Sequence, residues 1–127
     1  MLTHFNDIPV SERIIVALDC DAAEAKRLAG LLAGKARWLK VGMTLYYAEG
    51  PSIVKAFKDL GFDVFLDLKF HDIPHQVEGA AASAVASGAD MLTMHASGGV
   101  AMMQAALEGL TRPDGTRPLL IAVTQLT

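Results

Sequence analysis

Short apolar runs alternate along the chain with longer stretches in which apolar residues recur every three or four positions. Ile14-Ile-Val-Ala-Leu18 is uninterrupted and closes on Asp19, the pattern of a buried strand. Asp21-Ala-Ala-Glu24 offers a side-chain acceptor followed three residues later by Glu, a candidate capping box. Ala25, Leu28, Ala29 and Leu32 repeat at helical spacing, and Gly34 can end that helix. Trp38–Met43 predicts a second strand, with Lys40 its single charge. Pro51 opens a second helix whose apolar face is Ile53, Val54, Phe57 and Leu60, and Gly61 follows its end. Val64–Phe70 predicts the third strand. Val77, Ala80, Ala81, Ala84 and Val85 mark a third helix, stopped by Ser87-Gly88. Met91–His95 predicts the fourth strand, and Val100, Met103, Leu107 and Leu110 form the stripe of a fourth helix after Gly98-Gly99. Pro113-Asp-Gly115 marks a turn within a loop from Thr111 to Arg117. Leu119–Val123 predicts a fifth strand.

Strand starts recur roughly every 24–27 residues, the length of one strand-plus-helix unit. Near-continuous apolar strands separated by helices imply a parallel sheet covered by helices. An open doubly wound sheet and a (β/α)8 barrel both satisfy that pattern. No glycine-rich nucleotide fingerprint follows the first strand, because Asp19-Cys-Asp-Ala-Ala contains no glycine. Polar residues recur instead at or inside the C-terminal ends of strands: Asp19, Lys40, Asp67, Lys69, His95 and Thr127. A barrel collects its catalytic residues there, from several strands, so the barrel is preferred. A complete barrel takes about 250 residues, and the 127 residues here supply about five strands and four helices. The chain is therefore expected to form residues 1–127 of a single barrel domain, its N-terminal part, with the other strands outside it. An open edge would leave backbone groups unpaired, so the gap is expected to be filled by further barrel or by another chain.

Composition narrows the function. The 52% apolar content and 20% charged residues fit a globular domain rather than a disordered chain. The formal net charge of −3 and the lack of a Lys/Arg stripe argue against nucleic acid or an acidic membrane as partner. Cys20 is the only cysteine, which excludes an intrachain disulfide and a multi-cysteine metal site. Met1 to Ser11, with His4, Asn6, Asp7 and Pro9, lacks a secretory pattern, and no apolar run reaches the length of a membrane span. A cytoplasmic location is expected.

Phe65-Leu-Asp-Leu-Lys-Phe-His-Asp-Ile-Pro74 carries the strongest chemical signal. Asp67 and Lys69 sit inside an otherwise apolar strand, and residues two apart share a face. Burying such a pair costs on the order of several kcal/mol per ion, which points to an ordinary structural ion pair or to chemistry. Lys40 on the neighbouring strand extends the series to Lys, Asp, Lys, and Asp72 just past the strand end could join it. Lysine is rarely buried without purpose. Asp19 reads equally well as part of the helix start or as a ligand contact. His71 and His95 read as loop or core histidines, Gly98-Gly99 as a plain turn rather than an anion site, and Met102-Met103 as packing. No His or carboxylate spacing is persuasive for a metal, and Lys40 and Lys69 would repel a cation held by Asp67 and Asp72.

Val16-Ala-Leu-Asp19, Leu39-Lys-Val-Gly42, the block from Phe65 to Pro74 and Ala122-Val-Thr-Gln-Leu-Thr127 together resemble the bacterial orotidine 5'-phosphate decarboxylase family. Val41-Gly-Met43 and Glu49-Gly-Pro-Ser-Ile53 add local similarity. The resemblance runs from about Arg13 to the end. It implies a homodimeric (β/α)8 barrel that converts orotidine 5'-phosphate to uridine 5'-phosphate and carbon dioxide, the last step of UMP synthesis, with no metal or organic cofactor. By position, it implies that Lys69 is the proton donor and that Asp67 lies beside the substrate's leaving carboxylate. It implies that Lys40 and Asp72 complete the charge network, with Asp72 reaching the partner subunit's site. Asp19 and Lys40 would contact the ribose hydroxyls, and Asp67, Leu68, Lys69, Phe70, His71, Asp72, Ile73, Pro74, His75 and Gln76 would line the nucleotide. Thr127 matches a residue at the pyrimidine base.

Gln76 departs from the threonine the family commonly has there. The family's phosphate contacts fall outside this chain, so the isolated chain is expected to be weakly active or inactive. Two other readings share the motif. One is a magnesium-dependent keto-gulonate-phosphate decarboxylase or hexulose-phosphate synthase, whose second strand carries an acidic ligand where this chain has Lys40. The other is a non-catalytic half-barrel that only assembles.

Overall fold

Local chemistry accounts for most of the boundaries between elements in the computed structural model, which describes residues 5–127. His4 lies outside the described residues. The described chain divides into two units, one up to Val64 and one from Phe65 to Thr127.

In the first unit a short helix α1 (Val10–Arg13) leads into β1 (Ile15–Ala17). The helix α2 (Ala22–Leu32) starts where Asp21 accepts a hydrogen bond from the Glu24 amide at 2.9 Å. Only that half of the capping box forms as a side-chain cap, because Glu24 turns to Arg27 with contacts of 2.7 and 2.8 Å. Ala25 and Ala29 are its buried positions. The strand β2 (Trp38–Gly42) pairs in parallel with β1, with Val16 opposite Leu39 and Ala17 opposite Lys40.

A helix absent from the sequence reading, α3 (Met43–Glu49), follows β2 directly. Only Leu45 of α3 is buried, so no amphipathic repeat marks it. Gly50, at φ +70°, turns the chain into α4 (Pro51–Asp59), whose first position is the proline. Ile53, Val54 and Phe57 are buried as expected, whereas Leu60 is exposed because it lies past the last turn.

Strand β3 (Asp63–Phe70) begins in this unit. The Arg37 guanidinium ties its first residue to α1, bonding Asp63 through Nε and Glu12 at 2.9 Å. The Asp63 amide also donates to the Arg37 carbonyl at 2.8 Å. This clasp holds the N-terminal ends of β2 and β3 and leaves their other ends free for chemistry.

In the second unit β3 continues, followed by α5 (Pro74–Ala86), β4 (Met91–His95), α6 (Val100–Leu110) and β5 (Leu119–Val123). β4 pairs in parallel with β3 on one side and with β5 on the other. β4 is buried along Met91 to Met94, as a strand covered on both faces should be. β5 is apolar but pairs with β4 alone in this unit, and Leu119 and Ile121 are exposed.

The buried stripe of α6 is Met102, Ala105, Ala106 and Leu110 rather than the expected Val100, Met103, Leu107 and Leu110. Small residues decide this rotation. Gly109 lets α6 approach Ala81 and Glu78 of α5, while Val100 at the first helical position faces outward. A Cβ at Gly109 would fall inside contact distance of the Glu78 carbonyl and 2.9 Å from the Ala81 Cβ.

The expected α/β class is observed, with five strands in parallel ladders and a helix or helices after each of the first four. The four expected helices are present, joined by α1 and α3. Gly109→Ala should destabilise the protein by about 1–3 kcal/mol, the usual cost of forcing an extra methyl into a packed contact. Urea denaturation measures this, and an unchanged midpoint would show that α6 shifts freely.

Candidate active site

Charged side chains gather beyond the strands' C-terminal halves in both units. In the first, Lys40 extends from the middle of β2 and its Nζ lies 3.6 Å from Oδ1 of Asp19, two residues past β1. Gly42 makes room for this carboxylate, since a Cβ there would sit 3.3 Å from Asp19 Oδ1. Burial, and then the charges of Glu24, Asp21 and Asp19, push the neighbouring Cys20 thiol above its ordinary value.

In the second unit β3 departs from regular pleating. Leu66 pairs with Leu92 and Phe70 with Met94, so four residues of advance along β3 match two along β4. This is a bulge. At its centre Lys69 has φ +53°, the only positive φ at a non-glycine among the described residues. A left-handed conformation costs a residue with a Cβ about 1–2 kcal/mol.

The bulge brings the Lys69 ammonium back onto Asp67. Nζ donates to both carboxylate oxygens at 2.9 Å. Asp67 is buried, at 9% exposure, and a buried carboxylate needs such donors. Thr93 on β4 supplies another: its hydroxyl donates to Asp67 Oδ1 at 2.7 Å and accepts the Lys69 amide at 3.0 Å. No feature of the sequence pointed to Thr93, because its role depends on the bulged register.

The other expected residues of this unit lie on β3, in the loop and helix that follow it, and at the end of the chain. Leu68 is half-buried and Phe70 buried on β3. His71, Asp72 and Ile73 form an exposed loop, in which Asp72 Oδ1 accepts the Ile73 amide at 2.7 Å. His71 and His95 stack obliquely with ring centroids 5.1 Å apart. Pro74, His75 and Gln76 make the first turn of α5, and His75 and Gln76 line an open cavity of 720 Å3 against α6. Thr127 does not close a strand as expected. The β4–β5 ladder ends at Val123 opposite His95, leaving Thr127 exposed four residues further on.

Chemically, the geometry sets an ammonium against a carboxylate in a partly buried wall. Charges at the C-terminal ends of strands in parallel β/α units follow the arrangement in which (β/α) barrels carry their sites. The chain belongs to the orotidine 5'-phosphate decarboxylase / HUMPS family, whose model matches residues 12–127. It is 55% identical over 118 residues to an orotidine 5'-phosphate decarboxylase of Nitratidesulfovibrio vulgaris, covering 90% of this chain and 50% of that protein. The decarboxylase of Cutibacterium acnes is 53% identical over 117 residues, covering 91% and 49%. The chain thus spans about half the length of the curated relatives it matches.

Among solved structures, the Lactobacillus acidophilus decarboxylase superposes with a TM-score of 0.81 at 37% identity, covering 90% of this chain and 53% of that one. An uncharacterised conserved protein from Geobacillus kaustophilus gives 0.84 at 50% identity, covering 89% and 54%.

Two measurements probe this site. Lys69→Gly should be more stable than Lys69→Ala by about 1 kcal/mol, because glycine adopts a positive φ without a Cβ penalty; equal melting temperatures would contradict the strain. Iodoacetamide should alkylate Cys20 more slowly at pH 8 than a free thiol and faster as pH rises, since a raised pKa depletes the thiolate. Mass spectrometry gives both rates.

Proposed function

We propose that this chain carries the reacting-centre residues of an orotidine 5'-phosphate decarboxylase, acting in UMP synthesis. The observation that carries this reading is the two-pronged contact between the Lys69 ammonium and the buried Asp67 carboxylate. In this reading the C6–carboxylate bond of the pyrimidine breaks to release carbon dioxide, and its electron pair stays on C6. The Lys69 ammonium stabilises that pair and then donates a proton to it, leaving a neutral amine that regains its proton from water. Asp67, beside the leaving carboxylate, holds Lys69 in place. Lys40 and Asp19 bind the ribose hydroxyls, and their 3.6 Å approach supports that pairing.

Asp72, on an exposed loop, is available to a second subunit of a homodimer. The segment from Asp67 to Gln76 lines the nucleotide, with Thr127 at the base. Residues that grip the phosphate in the family lie outside this chain, and binding that remote group drives much of the catalysis, so the chain alone is a weak catalyst. The enzyme works in the cytoplasm, a reading consistent with its single cysteine. Among the described residues no helix is long and apolar enough to cross a membrane.

The test is a chimaera in which this chain replaces the matching segment of the Nitratidesulfovibrio vulgaris relative. It should decarboxylate orotidine 5'-phosphate, and Lys69→Ala should remove at least about a hundredfold of kcat, the low end for a proton-transferring group. Near-normal turnover in that variant would sink the role of Lys69. Activity should also survive EDTA, because Lys40 stands where the magnesium-dependent relatives carry an acidic ligand. Loss restored by magnesium would favour those relatives instead.

A further inference from the structure

We propose that Thr93 is a positioning residue that sets the geometry of both Asp67 and Lys69, a role that rests on the decarboxylase reading for its catalytic consequence. Thr93 is 4% exposed, and its hydroxyl has one proton to give and one acceptor direction in use. The proton goes to Asp67 Oδ1 and the acceptor takes the Lys69 amide. One small side chain therefore contacts the carboxylate of the pair and the backbone of its ammonium partner.

Both contacts fall where the structure is least self-sustaining. The Lys69 backbone is left-handed, and regular pairing between β3 and β4 lapses between Leu66 and Phe70. The Lys69 amide donates to the threonine hydroxyl at 3.0 Å. The Asp67 carboxylate has its rotation fixed from a second direction, so both of its oxygens stay aimed at Nζ. Removing the hydroxyl would take the Lys69 amide's side-chain acceptor and one of the donors to Asp67 Oδ1, which keeps its bond from Nζ. Thr93 touches neither substrate nor reacting atom in this scheme; it acts through the pair.

The experiment compares the full 127-residue chain with Thr93→Val, which keeps the shape, and Thr93→Ser, which keeps the hydroxyl. By NMR, Lys69 amide exchange should accelerate about tenfold in Thr93→Val, the equivalent of one ordinary hydrogen bond. The Asp67 carboxylate carbon resonance should move as well. Thr93→Ser should restore both signals, and unchanged exchange in Thr93→Val overturns the proposal. If Thr93→Val fails to fold, Thr93→Ala is read by the same amide.

In the chimaera, Thr93→Val should lower kcat by about tenfold with little change in KM, and Thr93→Ser should recover it. Equal losses in the two variants, or a change confined to KM, would overturn the catalytic part. An inactive unsubstituted chimaera would instead defeat the decarboxylase reading, while amide exchange still decides what Thr93 holds.

Discussion

A carboxylate inside a strand wall must be met by donors, and that requirement organises the second unit. Asp67 is met by the ammonium of Lys69 from its own strand and by the hydroxyl of Thr93 from the next. Satisfying it coincides with a left-handed residue and a lapse in the ladder, both centred where the charges meet. An undisturbed strand would keep Asp67 and Lys69 on one face, yet the pleat alone does not fold an ammonium back across both oxygens. Local irregularity and chemical geometry are the same feature seen from backbone and side chain.

The two ends of the strands divide their labour. At the start of β3, Arg37 joins Glu12 and Asp63 in a clasp whose charged hydrogen bonds raise the guanidinium pKa, first through Asp63 and then through Glu12. That cluster fixes where strands begin and offers no side chain to a reaction. At the far ends, charges are held near one another with polar loops following them. A barrel permits this separation because its core lies between the two rims.

Much of this was legible from sequence. The period of strand and helix, the cap at Asp21, the proline at the head of α4 and the glycines that stop helices all follow from local rules, and each is observed. What escaped detection depends on longer-range facts. α3 buries only Leu45 and so has no periodic signature. The face of α6 is chosen by how closely Gly109 approaches α5, which outweighs the larger apolar side chains at Val100 and Leu107. In the site, the i, i+2 spacing was enough to join Asp67 to Lys69. Thr93 was invisible because a threonine in a strand carries no signal of its own, and the bulge that gives it two partners is a property of the β3–β4 register. The apolar run placed the end of β5 at Val123, where the ladder does stop, and Thr127 lies four residues beyond it.

The positive φ at Lys69 has a meaning beyond mechanics. Under drift constrained only by folding, a left-handed position moves toward glycine or asparagine, the residues that occupy it at least cost. A lysine held there keeps an ammonium at a backbone cost that glycine or asparagine would not incur.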